Sequence, residues 1–270
     1  MIVNEITVKD IMTKSKLPAS DYAVNPYVGC PHRCKYCYAC FMKRFTKHDE
    51  EWGEFIDVKN FPTIKNPQKY NGKSVFIGSV TDGYNPFEKK YKKTREILKQ
   101  FINTDAEIII STKSKLVTRD LDLLKQLKNV TVAFSINTMD KQFRSDMDRA
   151  STIQERIEAM KILHDGGIHT VTFISPIFPC ITDVYEIIEN THDYCDEFWL
   201  ENLNLRGSYK GEILHYIKDN YPQYYNTYYD IYINKNMQYW IDISKKLEEY
   251  AETNNVNIIN YFYHELIKKK

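Results

Sequence analysis

The stretch Ala23-Val24-Asn25-Pro26-Tyr27-Val28-Gly29-Cys30-Pro31-His32-Arg33-Cys34-Lys35-Tyr36-Cys37-Tyr38 carries a β-rich run straight into a loop with three thiols. The thiols follow a Cys-x3-Cys-x2-Cys spacing, and an aromatic residue, Tyr36, stands before the third. In α/β barrels the functional residues gather where the strands end. Three thiolates can each hold one iron of a cubane and leave its fourth iron open. A cluster held by four thiolates only passes electrons, whereas an open iron can bind and activate a ligand.

Outward from this loop, further β-rich runs follow Ala23–Val28 at Val75–Val80, Glu107–Ser111, Val130–Ile136, Thr170–Ser175 and Glu197–Leu203. Their near-continuous apolar character suits strands covered on both faces. Helical patterns fall between them. Thr118–Leu127 places leucines at 121, 124 and 127 on one stripe. Residues 151–165 open with the capping-box pair Thr152 and Glu155, carry the stripe Ile153, Ile157, Met160 and Leu163, and end at Gly166-Gly167. Asp183 reads as the N-cap of a helix to about residue 194. Six strand–helix units over residues 20–205 predict an α/β fold, a partial parallel (β/α)6 TIM-like barrel.

The tail reads differently. Residues 208–253 look helical, with Met237, Trp240, Ser244, Leu247 and Ala251 on one face, and Val256–Tyr263 reads as a short strand or extended cover. The expected organisation is a barrel domain, 1–206, with a helical C-terminal extension, 207–270, packed on it. The tyrosines at 221, 224, 225, 228, 229 and 232 read as helix packing rather than base stacking.

Hydrophobic residues make up 43% of the 270, ample for one large core. Lys and Arg number 37 against 36 Asp and Glu, which argues against a broad electrostatic footprint for nucleic acid but leaves room for a local basic groove. No basic segment followed by a long apolar run opens the sequence, and no stretch reaches the roughly 18 apolar residues of a membrane span. The expectation is a cytoplasmic protein without membrane association. There clustered thiols serve as metal ligands or catalytic groups. A zinc site including Cys40 is the alternative, but it asks for a second pair of ligands, and Cys180 and Cys195 stand alone. Cys40 reads as a packed small residue, since a fourth thiolate would close the open iron.

Polar residues also mark the ends of the later strands: Gly78-Ser79-Val80-Thr81-Asp82-Gly83, Ser111-Thr112-Lys113-Ser114, Ser135-Ile136-Asn137-Thr138, and Ser175-Pro176 followed by Phe178-Pro179-Cys180-Ile181-Thr182-Asp183. With the thiol loop, this set resembles the radical S-adenosylmethionine superfamily, and within it the spore photoproduct lyase-like branch, over residues 20–205. The resemblance implies a [4Fe–4S] cluster on Cys30, Cys34 and Cys37, with S-adenosylmethionine chelated at the open iron. Reductive cleavage would then give a 5′-deoxyadenosyl radical that abstracts a substrate hydrogen. It further implies that Ser79, Thr81 and Asp82, or backbone carbonyls beside them, meet the cofactor's amino group. Lys113 would pair with its carboxylate, Ser135 and Asn137 would reach its ribose or carboxylate, and Tyr36 would lie near its adenine. Without that context, Asp82-Gly83 is an ordinary turn and Lys113 a solvated charge.

Among partners, the resemblance implies an electron donor such as flavodoxin or ferredoxin. The thiol-loop run and Glu201-Asn202-Leu203-Asn204-Leu205-Arg206 are similar to one protein of the radical SAM mobile pair, which implies a companion radical enzyme. The lyase proper has a hydrogen-donating cysteine in the segment aligned with Ser79-Val80-Thr81, and none occurs there. Tyr38 matches a tyrosine used in that lyase's radical return. Cys180 is the second candidate by position, although a buried small side chain at a turn is the commoner place for a free cysteine. His32 reads as a surface or backbone-capping residue. Arg149 and Arg156 read as salt bridges from the adjoining helix or as contacts to a carboxylate. A radical enzyme acting on a small molecule, peptide or nucleotide leads. A nucleic-acid lesion lyase is weakened by the +1 net charge and the missing cysteine, and a non-catalytic metal-stabilised module by the polar strand ends.

Overall fold

Five of the six apolar runs expected as strands form one each, because alternate side chains find partners on both faces. In the computed structural model, which describes residues 1–17 and 20–262, the strands are β1 (Ile2–Thr7), β2 (Met12–Lys14), β3 (Tyr22–Val24), β4 (Tyr27–Val28), β5 (Phe55–Asn60), β6 (Ser74–Ile77), β7 (Glu107–Thr112), β8 (Asn129–Ser135), β9 (His169–Ile177), β10 (Glu197–Asn202) and β11 (Ile258–Asn260). The helices are α1 (Glu88–Tyr91), α2 (Lys93–Phe101), α3 (Leu121–Leu124), α4 (Lys141–Met147), α5 (Ile153–Asp165), α6 (Val184–Thr191), α7 (Tyr209–Asn220), α8 (Tyr225–Tyr232) and α9 (Gln238–Asn254). Eight strands form one sheet in the order β11-β10-β9-β8-β7-β6-β3-β2. Every neighbouring pair is parallel except β2 with β3. From β3 onward sheet order is chain order, the arrangement of a barrel left open between its outer strands.

Alternation along β7 shows how the sheet is buried on both sides. Ile108 and Ile110 join the large core with Leu98, Leu124 and Leu163, while Ile109 joins Ala133, Val171 and Trp199 in a second cluster. Helix α5 bears out its local signals. Thr152 Oγ1 accepts from the Glu155 N–H at 3.2 Å, and Glu155 Oε2 accepts from the Thr152 N–H at 2.8 Å. Its stripe Ile153, Ile157, Met160 and Leu163 is buried. Asp183 Oδ1 caps α6 by accepting from the Glu186 N–H at 3.0 Å.

Four expectations need correction. The first expected strand, Ala23–Val28, is two strands in two sheets: β3 pairs with β6, and β4 pairs antiparallel with β5, which pairs parallel with β1. Pro26 has no N–H to extend a ladder. Asn25 instead reaches the next strand end, donating to Ser79 Oγ at 2.8 Å and accepting from the Val80 N–H at 3.0 Å. Strand β6 stops short of Val80 because Gly78 turns to φ +98°, where a Cβ would stand 2.6 Å from Ser111 O. The helix expected over Thr118–Leu127 is a 3-10 turn, Lys115–Asp120, followed by the single turn α3.

In the tail, the helical stretch breaks into α7, α8 and α9, and only Trp240 and Leu247 of the expected face are buried. Residues 258–260 form β11, which adds a further parallel strand beside β10; Tyr263 lies outside the described residues. Among the tyrosines, Tyr228 and Tyr232 are buried, and Tyr221 packs against Phe143 with centroids 6.0 Å apart. Among the described residues, no helix is long and apolar enough to cross a membrane.

Candidate active site

The thiol loop leaves β4 through Gly29, at φ +84°, where a Cβ would lie 2.3 Å from Phe55 O. Only glycine can pass the backbone of β5 this closely. Successive turns then fold the loop on itself: the Arg33 N–H donates to Cys30 O at 3.2 Å and the Cys37 N–H to Cys34 O at 3.0 Å. The end of α4 and the residues after it fix the loop from outside, with the Lys35 N–H on Met147 O at 2.9 Å and the Arg149 N–H on His32 O at 2.7 Å. Cys30 is buried, and Cys34 and Cys37 are half-buried. Burial pushes the Cys30 thiol up to about 12, with the carboxylate of Asp82 and the Cys37 thiol adding to the rise. Cys34 and Cys37 also rise through burial, opposed by the nearby Lys113 ammonium.

Three thiols that feel one another, in a setting where an uncompensated thiolate is costly, suit a positively charged metal group that keeps them deprotonated. They do not converge as ligands of one ion do, and among the described residues no three His, Cys, Asp or Glu do so. A cubane would give each thiolate its own iron. Cys40, on the 3-10 helix Tyr38–Phe45, turns its Sγ toward Tyr38 O at 4.0 Å and packs against the core.

Asp82 sits at the centre of the strand ends. Its carboxylate accepts from His32 Nε2 at 3.0 Å, Thr112 Oγ1 at 2.8 Å, the Lys113 N–H at 2.8 Å and the Tyr84 N–H at 2.8 Å. Burial raises its pKa, but His32 and these N–H groups outweigh that, and the net shift is downward. Protein donors thus occupy the acceptors that the sequence reading offered to a cofactor amino group, and Asp82 ties the thiol loop to β6 and β7. His32 corrects its own expectation: it is 3% exposed and is one end of this tie.

Lys113 Nζ donates to Ser135 Oγ at 2.6 Å and stands 5.7 Å from the centroid of Tyr36. Ser135 Oγ passes its proton to Ser175 O at 2.9 Å. Tyr36 is buried, edge-on to Phe178, and its hydroxyl donates to Asp148 Oδ2 at 3.3 Å. Asp148 is held in turn by Arg156 Nη2, at 2.8 and 3.0 Å, while Arg156 Nη1 donates to Ser135 O at 2.9 Å. This decides between the two readings of Arg156: it is a buried brace between α5 and the end of β8.

Two polar groups at the same strand ends, Thr81 Oγ1 and Asn137 Nδ2, are buried without any hydrogen-bond partner. Buried polar groups are ordinarily paired, so these two are open to a further partner. Ser79 is more committed, its Oγ accepting from Asn25 and its carbonyl from the Tyr38 hydroxyl. Tyr38 is half-exposed, within electrostatic reach of Cys37 and Glu201. Cys180 is exposed at φ +61° in the turn after β9, and its N–H donates to Tyr239 Oη of α9 at 2.9 Å. Sequence reasoning missed the His32–Asp82 tie and the Asn25 latch, and it expected a carboxylate partner for Arg156 without naming Asp148. Only His32's place inside the thiol loop offered a signal.

The family model described as Radical SAM superfamily matches residues 24–193. The chain is 40% identical over 223 residues to the uncharacterized protein MJ0683 of Methanocaldococcus jannaschii, covering 82% of this chain and 84% of that one. It is 33% identical over 171 residues to ORF301 of Acidianus two-tailed virus, 58% and 56% of the two chains. A spore photoproduct lyase solved with bound AdoMet and dinucleoside spore photoproduct superposes with a TM-score of 0.59 at 16% identity, over 82% of this chain and 66% of the lyase. Streptococcus suis SuiB bound to S-adenosylmethionine gives 0.57 at 15% identity, over 88% and 49%. At such identities the likeness is one of fold.

Proposed function

Because the chain belongs to the radical SAM superfamily, an enzyme family that uses a [4Fe–4S] cluster and S-adenosylmethionine, we propose that Cys30, Cys34 and Cys37 hold three of the cluster's irons and that the adjoining strand ends hold S-adenosylmethionine. When bound, these groups supply a one-electron cleavage that yields a hydrogen-abstracting 5′-deoxyadenosyl radical. The protein's part is placement. Lys113, already poised over Tyr36 and beside the thiols, pairs with the cofactor carboxylate. Asn137 donates its free amide N–H and, with Ser135, reaches the ribose or carboxylate. Thr81 offers its unpaired hydroxyl.

The carbonyls around Ser79 take the amino group, since Asp82 is saturated, and Asp82 acts by holding the thiol loop in register. Tyr36 lies against the adenosine side. Tyr38 and Cys180 are the candidates for returning a hydrogen to product. The tail from residue 207 acts as a cover, tied to the mouth through Tyr239. A one-electron donor of the flavodoxin or ferredoxin kind, a companion radical enzyme and a cytoplasmic location belong to the same reading. The substrate is unidentified, and the absence of a cysteine at Ser79-Val80-Thr81 speaks against repair by the lyase's own hydrogen-return route.

The observation that carries this reading is the buried, unpartnered Asn137 amide just past the end of β8, the strand beside the one that runs into Lys113. Anaerobic reconstitution tests it. About four irons per chain are expected, lost on changing Cys30, Cys34 or Cys37 to alanine and kept in Cys40→Ala. Reduction in the presence of S-adenosylmethionine should release 5′-deoxyadenosine. Stoichiometric zinc without iron would overturn the assignment.

A further inference from the structure

Strand alternation aims Glu201, near the end of β10, into the open barrel. The helices cover the outer face of the sheet, where Ile108 and Ile110 join the large core. On the inner face Ile109, Ala133, Val171 and Trp199 form the second cluster, and Phe173 is only partly buried against it. Residues two apart on a strand share a face. One such step along, a rise of about 6.6 Å, the inner face turns polar: Ser135 follows Ala133, Ser175 follows Phe173 and Glu201 follows Trp199. Hydrogen bonds join this layer to the cation beside it. Lys113 Nζ donates to Ser135 Oγ at 2.6 Å, Ser135 Oγ to Ser175 O at 2.9 Å, and Ser175 Oγ to Glu201 Oε2 at 2.5 Å. A polar ridge thus crosses the ends of four neighbouring strands, with a cation at one end and a carboxylate at the other. There β9 bulges against β10, since Leu200 faces Ile174 but Asn202 faces Ile177, and bulges re-aim side chains beside functional sites.

We propose that Glu201 is a specificity-determining residue that receives a protonated amine of the substrate, whose apolar body rests on Trp199 and Phe173. At one end of the ridge the cofactor carboxylate matches Lys113, and at the other the substrate cation matches Glu201. A carboxylate accepts about four hydrogen bonds, so the Ser175 bond orients Glu201 without exhausting it. Half-buried, the carboxylate meets a cation with less water between them than a surface group would, which strengthens the attraction. The aromatic rings one layer down offer the apolar body a seat and favour a cation near their faces. The proposal rests on the cofactor lying at Lys113.

The test is an anaerobic calorimetric titration of cluster-loaded enzyme, with S-adenosylmethionine bound, by benzylamine and by benzyl alcohol as its uncharged control. Wild type should bind the amine about tenfold or more tighter than the alcohol, the worth of a charge-assisted hydrogen bond. Glu201→Gln keeps an acceptor for Ser175 and should lose that preference, with iron per chain and S-adenosylmethionine affinity unchanged. Equal binding of the two probes by wild type, or a preference that survives Glu201→Gln, would overturn the proposal. So would weaker S-adenosylmethionine binding in Glu201→Gln, which would give the carboxylate to the cofactor. Should that variant fail to load iron, a crystal structure of the wild-type holoenzyme with benzylamine decides. Its nitrogen is expected about 2.8 Å from a Glu201 oxygen, and an amine seated elsewhere overturns the proposal. Titration with N-acetyl-lysine methylamide separates two sources of the amine: binding tighter than benzylamine supports a peptide side chain, and weaker binding a small molecule. Wild type that takes up no iron, or releases no 5′-deoxyadenosine before any amine is added, would instead refute the cluster assignment, a separate failure.

Discussion

Changing Asp148 to alanine leaves the Arg156 guanidinium charged in the core with its anionic partner gone. Both side chains are almost wholly enclosed, at 0% and 1% exposure. Arg156 would keep only Ser135 O and Ser151 O as acceptors, while the Tyr36 hydroxyl and the Ala150 N–H would lose theirs. Breaking a buried pair by removing one partner costs about 3–5 kcal/mol, against a total stability on the order of 5–15 kcal/mol. At roughly 2–4 °C per kcal/mol for a chain of this size, Tm should fall by about 6–20 °C. The double change Asp148→Leu with Arg156→Met removes both charges and their desolvation penalty, so its cost should be well below the sum of the single changes. Calorimetry of cluster-free protein measures all three without reference to activity. A fall below about 3 °C for Asp148→Ala, or a strictly additive double mutant, would show that the pair does not support this end of the sheet.

Lys113→Met should leave iron loading intact and weaken S-adenosylmethionine binding about tenfold or more by calorimetry, the worth of a charge-assisted hydrogen bond; unchanged affinity would make Lys113 a strut for Ser135 alone. Gly29→Ala meets both Phe55 O and a left-handed backbone, which alone costs about 1–2 kcal/mol; iron per chain and Tm should both drop, and wild-type values would show that the loop has room. His48 donates to Asp57 at 2.8 Å and Glu50 at 3.0 Å. Burial lowers its pKa, but the two carboxylates prevail and the net shift is upward. With the folded pKa above the unfolded value of about 6.5, its contribution is complete below that pH and lost as pH rises through the folded pKa. The Tm difference between wild type and His48→Gln should therefore shrink from about pH 6 to pH 9, and a constant difference would refute an ionic role.

Much of this could be read along the chain, because it depends on near neighbours. The capping box at Thr152 and Glu155, the apolar stripe of α5, the N-cap at Asp183 and the spacing of Cys30, Cys34 and Cys37 are all local patterns. The strands at 74–77, 107–112, 129–135, 169–177 and 197–202 announce themselves as apolar runs, and polar residues at their ends mark the mouth. Those signals were enough for the fold class, and they single out the thiol loop as the candidate centre.

What they could not contain is which distant groups meet. His32 and Asp82 lie 50 residues apart, and Tyr36 and Asp148 lie 112 apart. Only closure of the sheet turns an apparent surface histidine and a turn aspartate into one buried tie, with protein donors on the Asp82 carboxylate. The break at Pro26 and the return of β11 to the sheet edge depend likewise on which strand offers a free ladder. Sequence determined the residues able to do the chemistry because local pattern governs helices, strands and ligand spacing. Tertiary structure decided how each polar group is used, because in a buried site every donor and acceptor must be satisfied by whatever the fold brings within reach.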